Sequence, residues 1–490
     1  MEETKQQLLL VRLGGELFIK SKRTRSAFLR RLMGNIEDGL AGLAGEASAE
    51  RGWDRILVRA ADENVQGMLA RVFGLSSFSP VDTVTTATLE DILAAGDRFR
   101  DRVRGRTFAI RARRAGEHAF SSQDVQVELG SRLLEASAGV DLDAPDVEVF
   151  VEVRNERAYL FSEKVPGAGG LPLGVEGRAV TLLSGGFDSA VASWLMLKRG
   201  IGQHYVFCNL GGDAYERAVV QVAKVLADDW SYGTRPRLHV VDFTAPLRAL
   251  RKHARERYWQ VVLKRLMYRA ASRVGQEVGA QAIITGEAVG QVSSQTLSNL
   301  RAIEPAADLP VFRPLLGFDK EEIIERARTV GTAGLSEQVK EYCAIAPGRP
   351  VTSASVGSVH AEESKLELAV IDEAVAERKV LDLRSLTPAD LVAPYLFTRE
   401  IPDDAVVLDC RPEAEYRHWH LPGAERKDEW ELLRKFGSLD RDRHYVVYCG
   451  HGIRSAHIAE KMQQAGYEAY SFRGGVKGVK EWAGARPVTS

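Results

Sequence analysis

The sequence predicts a multidomain protein, α+β over residues 1–166 and α/β from about residue 175 onward. Three observations predict it. The 490 residues exceed what a single hydrophobic core supports, so three or four domains are expected. Near residue 175 the apolar pattern changes to strands alternating with helices, the signature of a doubly wound parallel sheet. Finally, two glycine-bearing loops each lie between an apolar run and a helical stretch. Ser184–Ser189 follows Ala179–Leu183, and Cys449–Ser455 follows Tyr445–Tyr448.

Leu8–Leu13 and Arg55–Arg59 read as strands flanking a helix with Phe28, Leu29, Leu32 and Ile36 on its apolar side. A helix over Val65–Phe73 completes a small α+β unit. Leu89–Arg104 reads as a helix, Thr107–Arg113 as an alternating strand, Asp124–Ala136 as a helix, and Glu148–Val153 with Arg157–Phe161 as a hairpin. Gly167–Gly174 is a turn-rich joint. Beyond it, Ala179–Leu183, Gln203–Asn209, Arg237–Val241 and Ala280–Thr285 are strands. Ala190–Lys198, Ala218–Leu226 and Tyr258–Val274 are helices. Thr352–Pro394 is acidic and poor in strands, which predicts a linker before a last α/β unit over Ala405–Trp482.

Composition is that of a globular protein, and no apolar stretch reaches the ~18 residues of a membrane span. The polar start Met1–Lys5 does not resemble a signal peptide, so a cytoplasmic location is expected. Cys208, Cys343, Cys410 and Cys449 form no C-x-x-C pair, which argues against a cysteine-ligated zinc or cluster. The net charge of −1 hides basic stretches at 1–35 and at Arg98–Arg114. These are either solvated faces or a surface for phosphate backbone.

The loop Ser184-Gly185-Gly186-Phe187-Asp188-Ser189 suits a pyrophosphate. Glycines let backbone N–H groups approach phosphate oxygens, and the helix N-terminus adds its dipole. Asp188 and Ser189 can cap that helix or meet a magnesium ion. No Gly-Lys-Ser/Thr follows, so this is not an ordinary P-loop. In the second loop, Cys449 stands at a helix mouth, with four residues between it and Arg454. N–H groups and the guanidinium should keep its thiol ionised and stabilise a persulfide.

The first string resembles the PP-loop of ATP pyrophosphatases, which place AMP on a carbonyl oxygen. The second, with Val406–Glu413, His420–Ala424, Arg473–Val476 and Trp482, resembles the rhodanese family. Ala119–Asp124, Asn209–Gly212, Leu263–Met267, Thr285–Ala288, Gly290–Thr296 and Glu341–Cys343 extend the match from end to end. The whole chain resembles the bacterial tRNA 4-thiouridine synthetases, the ThiI family.

That resemblance implies a ferredoxin-like domain over 1–75, a THUMP RNA-binding domain over 76–166 and a PP-loop domain over 175–350. A linker over 351–394 and a rhodanese-like domain over 395–490 follow. It implies ATP held by Leu182, Leu183, Ser184, Gly185, Gly186, Ser189, Lys264, Gly286 and Gln295, with Asp188 organising magnesium and pyrophosphate. Lys320 would stabilise charge during adenylation, although a solvated lysine at a helix start reads the same way; Gln295 can likewise be a plain polar loop residue. Cys449 would carry the persulfide beside Arg454, and Cys343 would resolve it as a redox disulfide. Arg111, Arg113 and Arg114 would meet RNA, and Cys410 and Cys208 are expected as packing.

The implied reaction adenylates uridine 8 of tRNA and replaces its C4 oxygen with sulfur. Implied partners are tRNA, a cysteine desulfurase, an external reductant and, in a second role, a thiamine sulfur-carrier protein. Rival readings are another PP-loop tRNA thiolase, an amidotransferase, or an RNA-binding sulfur shuttle with a vestigial ATP loop.

Overall fold

The computed structural model describes residues 6–485 apart from 53, 211–212, 338, 340–349, 388–390, 392–395 and 451. Two compact units emerge. One comprises Met1–Lys20, Leu40–Ala70 and Gly74–Gly169; the other comprises Ser21–Gly39, Arg71–Phe73 and Gly170–Ser490.

The first unit holds two five-stranded sheets. One is antiparallel in the order Val165–Pro166, Leu75–Pro80, Gln7–Leu13, Arg55–Ala60, Ala47–Arg51. Leu75–Pro80 and Ala47–Arg51 are strands the sequence pattern did not predict. Serine and alanine dominate both, so they lack the β-branched residues that mark a strand. The second sheet runs Thr83–Thr86, Arg157–Phe161, Val147–Arg154, Thr107–Ala115, Gly139–Val140. The helix Ser122–Leu134 closes its core by setting Val125, Leu129 and Leu133 with Phe108, Ile110, Val149 and Val151. Ser121 and Asp124 form a capping box that starts this helix, satisfying two otherwise orphaned N–H groups. The helix predicted over 89–104 forms as α-helix over Leu89–Gly96 and Arg100–Val103, joined by a 3-10 turn at Asp97–Phe99. At Gly96 an added Cβ would lie 2.3 Å from Leu129 Cδ1, so the glycine lets that side chain pack directly against the turn.

In the second unit the sheet order is Val311–Phe312, Ile283–Ile284, Arg178–Leu182, Gly202–Asn209, Arg237–Asp242, all parallel, with Lys379–Asp382 antiparallel at the edge. Residues 351–394 are therefore more than a linker. They supply that edge strand, and the helices Val356–Glu363 and Ala369–Ala376 pack Val359, Ile371 and Val375 into the same core. Their acidic faces, which hid this role, pair with arginines: Glu363 accepts from buried Arg265 at 2.6 Å and from Arg269 at 2.9 Å. The helix Lys22–Leu40 belongs to this unit too. Asp38 accepts from Gly233 N at 2.7 Å and from Arg235 and Arg384. Burial alone would raise its pKa, but those donors hold the carboxyl below the usual range.

A second parallel sheet runs Phe397–Thr398, Glu468–Phe472, His444–Tyr448, Val406–Asp409, Glu425–Arg426. Both parallel sheets thus present central strand ends followed by helices, where ligands of such folds bind. Among the described residues no helix is long and apolar enough to cross a membrane.

His204 and His239 meet across neighbouring strands at 3.4 Å, and Arg378 Nε donates to His239 Nδ1 at 3.1 Å. Burial, helped by nearby cations, pushes both pKa values down to about 4, and burial does the same to His457. The unfolded chain therefore binds more protons than the folded one below pH 6.5. Stability should be full above that pH and fall progressively toward pH 4, by roughly 2–3 kcal/mol for buried His239 or His457. Thermal unfolding from pH 7.5 to 4.5 should show the fall, and a stable His239→Gln variant should show a shallower one.

Candidate adenylation and sulfur-carrier sites

Strand Arg178–Leu182 delivers the chain into Ser184-Gly185-Gly186, and helix Phe187–Lys198 begins immediately after. Gly185 has φ +79, and a Cβ on it would meet Val219 Cα at 3.2 Å and Val339 at 3.2 Å. Ser189 Oγ receives the Ser184 N–H at 3.1 Å and donates to Gly186 O at 3.2 Å, while Tyr215 OH donates to Ser184 O at 3.1 Å. The loop is thus braced by Ser189 and by Tyr215, with Gly186 lining the space in front of it.

This loop forms one wall of a cavity of about 600 Å³, the size of a nucleotide site. Of the residues expected to hold ATP, Leu182, Leu183, Ser184, Gly186, Ser189, Lys264, Gly286 and Gln295 line it, as do Asp188 and Lys320. Gly185 lies behind the wall, packed on Val219. Gly286 approaches the loop so closely that a Cβ would fall 2.5 Å from Asp188 C and Ser189 N. Gln295 is buried, and its Oε1 accepts from Ala288 N at 3.4 Å, so it also braces the segment carrying Gly286.

Lys320 Nζ reaches Asp188 Oδ1 at 2.9 Å across the cavity mouth. Gln291, which the sequence reading did not single out, bridges the pair: its amide nitrogen lies 3.2 Å from Asp188 Oδ2 and its oxygen 3.0 Å from Lys320 Nζ. A second missed group lies deeper. Buried Glu287 accepts from Tyr268 OH at 2.5 Å and from Arg313 Nε at 2.8 Å. Burial and the Glu287 charge push the Tyr268 hydroxyl well above its ordinary pKa, so it stays a donor. The Thr285-Gly-Glu-Ala288 string could have signalled this carboxylate, but nothing local announces its partners.

In the second parallel sheet, strand His444–Tyr448 ends at Cys449, and helix Ile453–Gln464 starts after Gly452, at φ +90. Cys449 Sγ accepts from Gly452 N at 3.1 Å and Ser455 Oγ at 3.3 Å. Gly475 lies beneath the loop, where a Cβ would stand 2.6 Å from Cys449 O and Gly450 O. That contact explains the Arg473-Gly-Gly-Val476 string. Burial opposes ionisation of Cys449, yet donation from Cys410, the Arg454 charge and Ser455 together hold its pKa well below the ordinary thiol value.

Cys449 is buried, only 1% exposed. Arg454 lies 3.6 Å from Asp229 and 3.6 Å from Glu429, and Gly331 comes against its guanidinium. Burial raises the Glu429 carboxyl to about 7 despite Arg454, with the Cys449 charge adding to the rise. Nearby, Arg71 reaches Glu415 at 2.5 Å. Cys343 lies outside the described residues. Cys208 is buried in the sheet core and its residue also borders the cavity.

In the first unit, Arg111 and Arg113 line a groove of about 610 Å³ together with Arg12 and Lys164. Arg111 is held by Glu148 at 2.8 Å, whereas Arg113 is exposed. Arg114 is exposed outside the groove lining and donates to Gly116 O at 3.1 Å.

A phosphate cradle and a stabilised thiolate on two parallel sheets define a class: proteins that activate a substrate with a nucleotide and supply sulfur to it. Comparison with known proteins narrows the class. The ThiI thiamine biosynthesis protein family matches residues 174–368, a rhodanese-like domain 395–481, a THUMP domain 86–163 and the ThiI ferredoxin-like domain 8–79. A tRNA sulfurtransferase of Pyrobaculum aerophilum is 38% identical over 474 residues, 95% of this chain and 96% of its own. One of Pectobacterium atrosepticum is 36% identical over 472 residues, 94% of this chain and 98% of its own. A solved 4-thiouridine synthetase, in complex with RNA and bound ATP, is 33% identical, with TM-score 0.67 over 77% of this chain and 99% of its own. The chain belongs to the tRNA sulfurtransferase family.

Gly286→Ala should abolish pyrophosphate release, at least 100-fold, because the added methyl cannot fit beside the Asp188–Ser189 backbone. Nucleotide titration should show lost ATP binding while the unfolding midpoint changes by only a few degrees. Near-normal ATP affinity would mean that Gly286 does not shape the cradle.

Proposed function

We propose that this chain adenylates a uridine of tRNA, position 8, and replaces its C4 oxygen with sulfur carried on Cys449. The observation that carries this reading is the pairing, in one compact unit, of the glycine-walled cavity with a thiolate held by Gly452, Ser455 and Arg454. The rival shuttle with a vestigial ATP loop is disfavoured by the complete cradle. An amidotransferase is disfavoured by the carrier thiol.

ATP would lie with its phosphates against Ser184, Gly186 and the start of helix Phe187–Lys198, where the N–H groups and helix dipole face them. Lys264 supplies a point charge within the cavity. The uridine C4 oxygen attacks the α-phosphate and pyrophosphate leaves, converting a poor leaving oxygen into an AMP ester. Lys320 would exchange Asp188 for the developing phosphate charge, a move Gln291 can follow because its amide contacts both. Asp188 with the phosphates fits magnesium, which takes few protein carboxylates; bound there, it would neutralise phosphate charge.

A cysteine desulfurase loads Cys449. The loop's N–H and hydroxyl donors, which now face a thiolate, would face the persulfide anion equally well. Sulfur, as the persulfide or as hydrosulfide from it, then displaces AMP at C4. Cys343 closes a disulfide with Cys449, and an external dithiol reductant resets both. The same persulfide is chemically competent to load a thiamine sulfur-carrier protein. The basic groove with Arg111 and Arg113 would meet tRNA by phosphate and shape, the mode that structured RNA favours, with Arg114 beside it. With these partners the chain would work in the cytoplasm.

Tyr215 and Asp229 lie 14 positions apart on the helix Asp213–Trp230, about 21 Å at the α-helical rise. Tyr215 borders the cavity, whereas Asp229 holds Arg454. Sulfur delivery by Cys449 itself therefore requires the carrier loop to leave its seat.

Asp188→Ala should lower tRNA-dependent pyrophosphate release at least 100-fold with tRNA affinity within about twofold. Cys449→Ala should do the converse: one equivalent of pyrophosphate per enzyme, but no thiolated tRNA when a desulfurase is the only sulfur source. Normal multiple turnover by Cys449→Ala would remove the cysteine from its carrier role.

Arg113→Glu should weaken tRNA binding more than Arg111→Glu, because Arg111 already neutralises Glu148. Its effect should shrink as salt rises, since phosphate contacts carry the salt dependence. Equal affinities at 50 and 250 mM salt would place the RNA elsewhere.

A further inference from the structure

Cys410, expected as packing, is the side-chain neighbour of the carrier cysteine. Asp409 and Tyr448 are in-register partners on parallel strands, and the Cys410 N–H donates to Tyr448 O at 3.0 Å, extending the ladder by one residue. Cys410 and Cys449 are therefore successive partners at two adjacent strand ends. Neighbouring strands lie about 4.8 Å apart, inside the Cα separation a disulfide accepts.

They also share a face. Leu408 and Cys410 on one strand, and Val447 and Cys449 on the other, enter the same apolar cluster, whereas Val407, Val446 and Tyr448 enter the opposite one. Both thiols are buried, and Cys410 Sγ lies 3.1 Å from Tyr448 O, the carbonyl directly preceding Cys449. The cysteines also dominate each other's chemistry. Cys410 is raised well above the ordinary thiol value, first by its contact with Cys449 and then by burial. Cys449 is lowered, burial notwithstanding, with Cys410 first among the groups that lower it. Between the two sulfurs, the proton is favoured on Cys410 and the negative charge on Cys449.

We propose that Cys410 is a resolving thiol within the rhodanese-like domain, able to discharge a Cys449 persulfide without Cys343. This rests on Cys449 being the persulfide carrier. Cys410 Sγ attacks Cys449 Sγ, and its proton passes to the terminal sulfur. The Cys449 Sγ–S bond breaks, a Cys410–Cys449 disulfide forms, and the terminal sulfur leaves as hydrosulfide. The two cysteine sulfurs together lose the two electrons that the sulfane sulfur gains. A dithiol reductant then returns two electrons and two protons. The hydrosulfide so released is a nucleophile for the adenylated uridine that does not require Cys449 to travel.

The test uses the full-length Cys343→Ala protein with desulfurase, radiolabelled cysteine, ATP, tRNA and a dithiol reductant. Thiolation should persist at a tenth or more of the wild-type rate, and Cys343→Ala/Cys410→Ser should lose at least another tenfold. In Cys343→Ala protein quenched by alkylation, with reductant withheld, a non-reducing tryptic map should link Glu400–Arg417 to His444–Arg454. Labelled sulfur should accumulate on Cys449 only in the double variant. The map of Cys343→Ala needs no change at Cys410, so it stands even if Cys410→Ser folds poorly. Absence of the linked peptide, or label trapped on Cys449 in Cys343→Ala itself, overturns the proposal. Wild-type protein that never carries label on Cys449 would instead overturn the carrier reading on which it rests.

Discussion

The structure depends on one electrostatic constraint, that an anion must be held where a parallel strand gives way to a helix. Two sheets solve it in the same place and with opposite materials. At Ser184–Gly186 the anion is external, so the wall must be empty: Gly185 turns at φ +79, and Gly286, with no side chain, packs directly against the Asp188–Ser189 backbone. At Cys449 the anion is the protein's own sulfur, so the wall is full, with Gly452 N, Ser455 Oγ and the Arg454 charge converging on it. The same helix-end physics thus makes a binding site in one case and an activated side chain in the other.

Buried charge links the two solutions. Arg454 stabilises the Cys449 thiolate, but its carboxylate partners include Asp229 at the far end of the helix that starts beside the nucleotide cavity. A guanidinium shared among a thiolate, Asp229 and Glu429 is held by charges on both sides, and removing any one leaves the others buried and unbalanced. Glu429, raised to about 7, gives this cluster a member that changes charge near neutrality. Its protonation and the state of the sulfur are therefore coupled: gain of an uncharged sulfur species on Cys449 favours loss of the Glu429 proton.

What the sequence made legible follows the range of the interaction. Both loops were readable because backbone approach and helix capping act within six residues, and each demand writes itself into adjacent letters: Gly185-Gly186, Ser184 with Ser189, Cys449 with Arg454. The rhodanese strings were readable for the same reason, since Gly475 answers directly to the Cys449 loop. Long-range partners left no such mark. Glu363 looked like linker acidity until Arg265 and Arg269 were found opposite it, and Lys379–Asp382 became a strand only because Arg237–Asp242 offered an edge. Gln291 was an ordinary polar residue until the fold set it between Asp188 and Lys320.

Strand register is the extreme case, because it is invisible in sequence and decisive for chemistry. Cys410 and Cys449 are 39 positions apart, yet an in-register pair at Asp409 and Tyr448 makes them neighbours; a slip of one residue would turn one sulfur to the opposite face. The hydrophobic pattern of the two strands fixes that register, with Leu408 and Val447 on one side and Val407 and Val446 on the other. Packing that closes a core has therefore also set these two thiols side by side. Contact with Cys449 and then burial raise the Cys410 thiol, and the same apolar cluster buries the Cys449 sulfur, so register and packing together set the chemistry of both thiols.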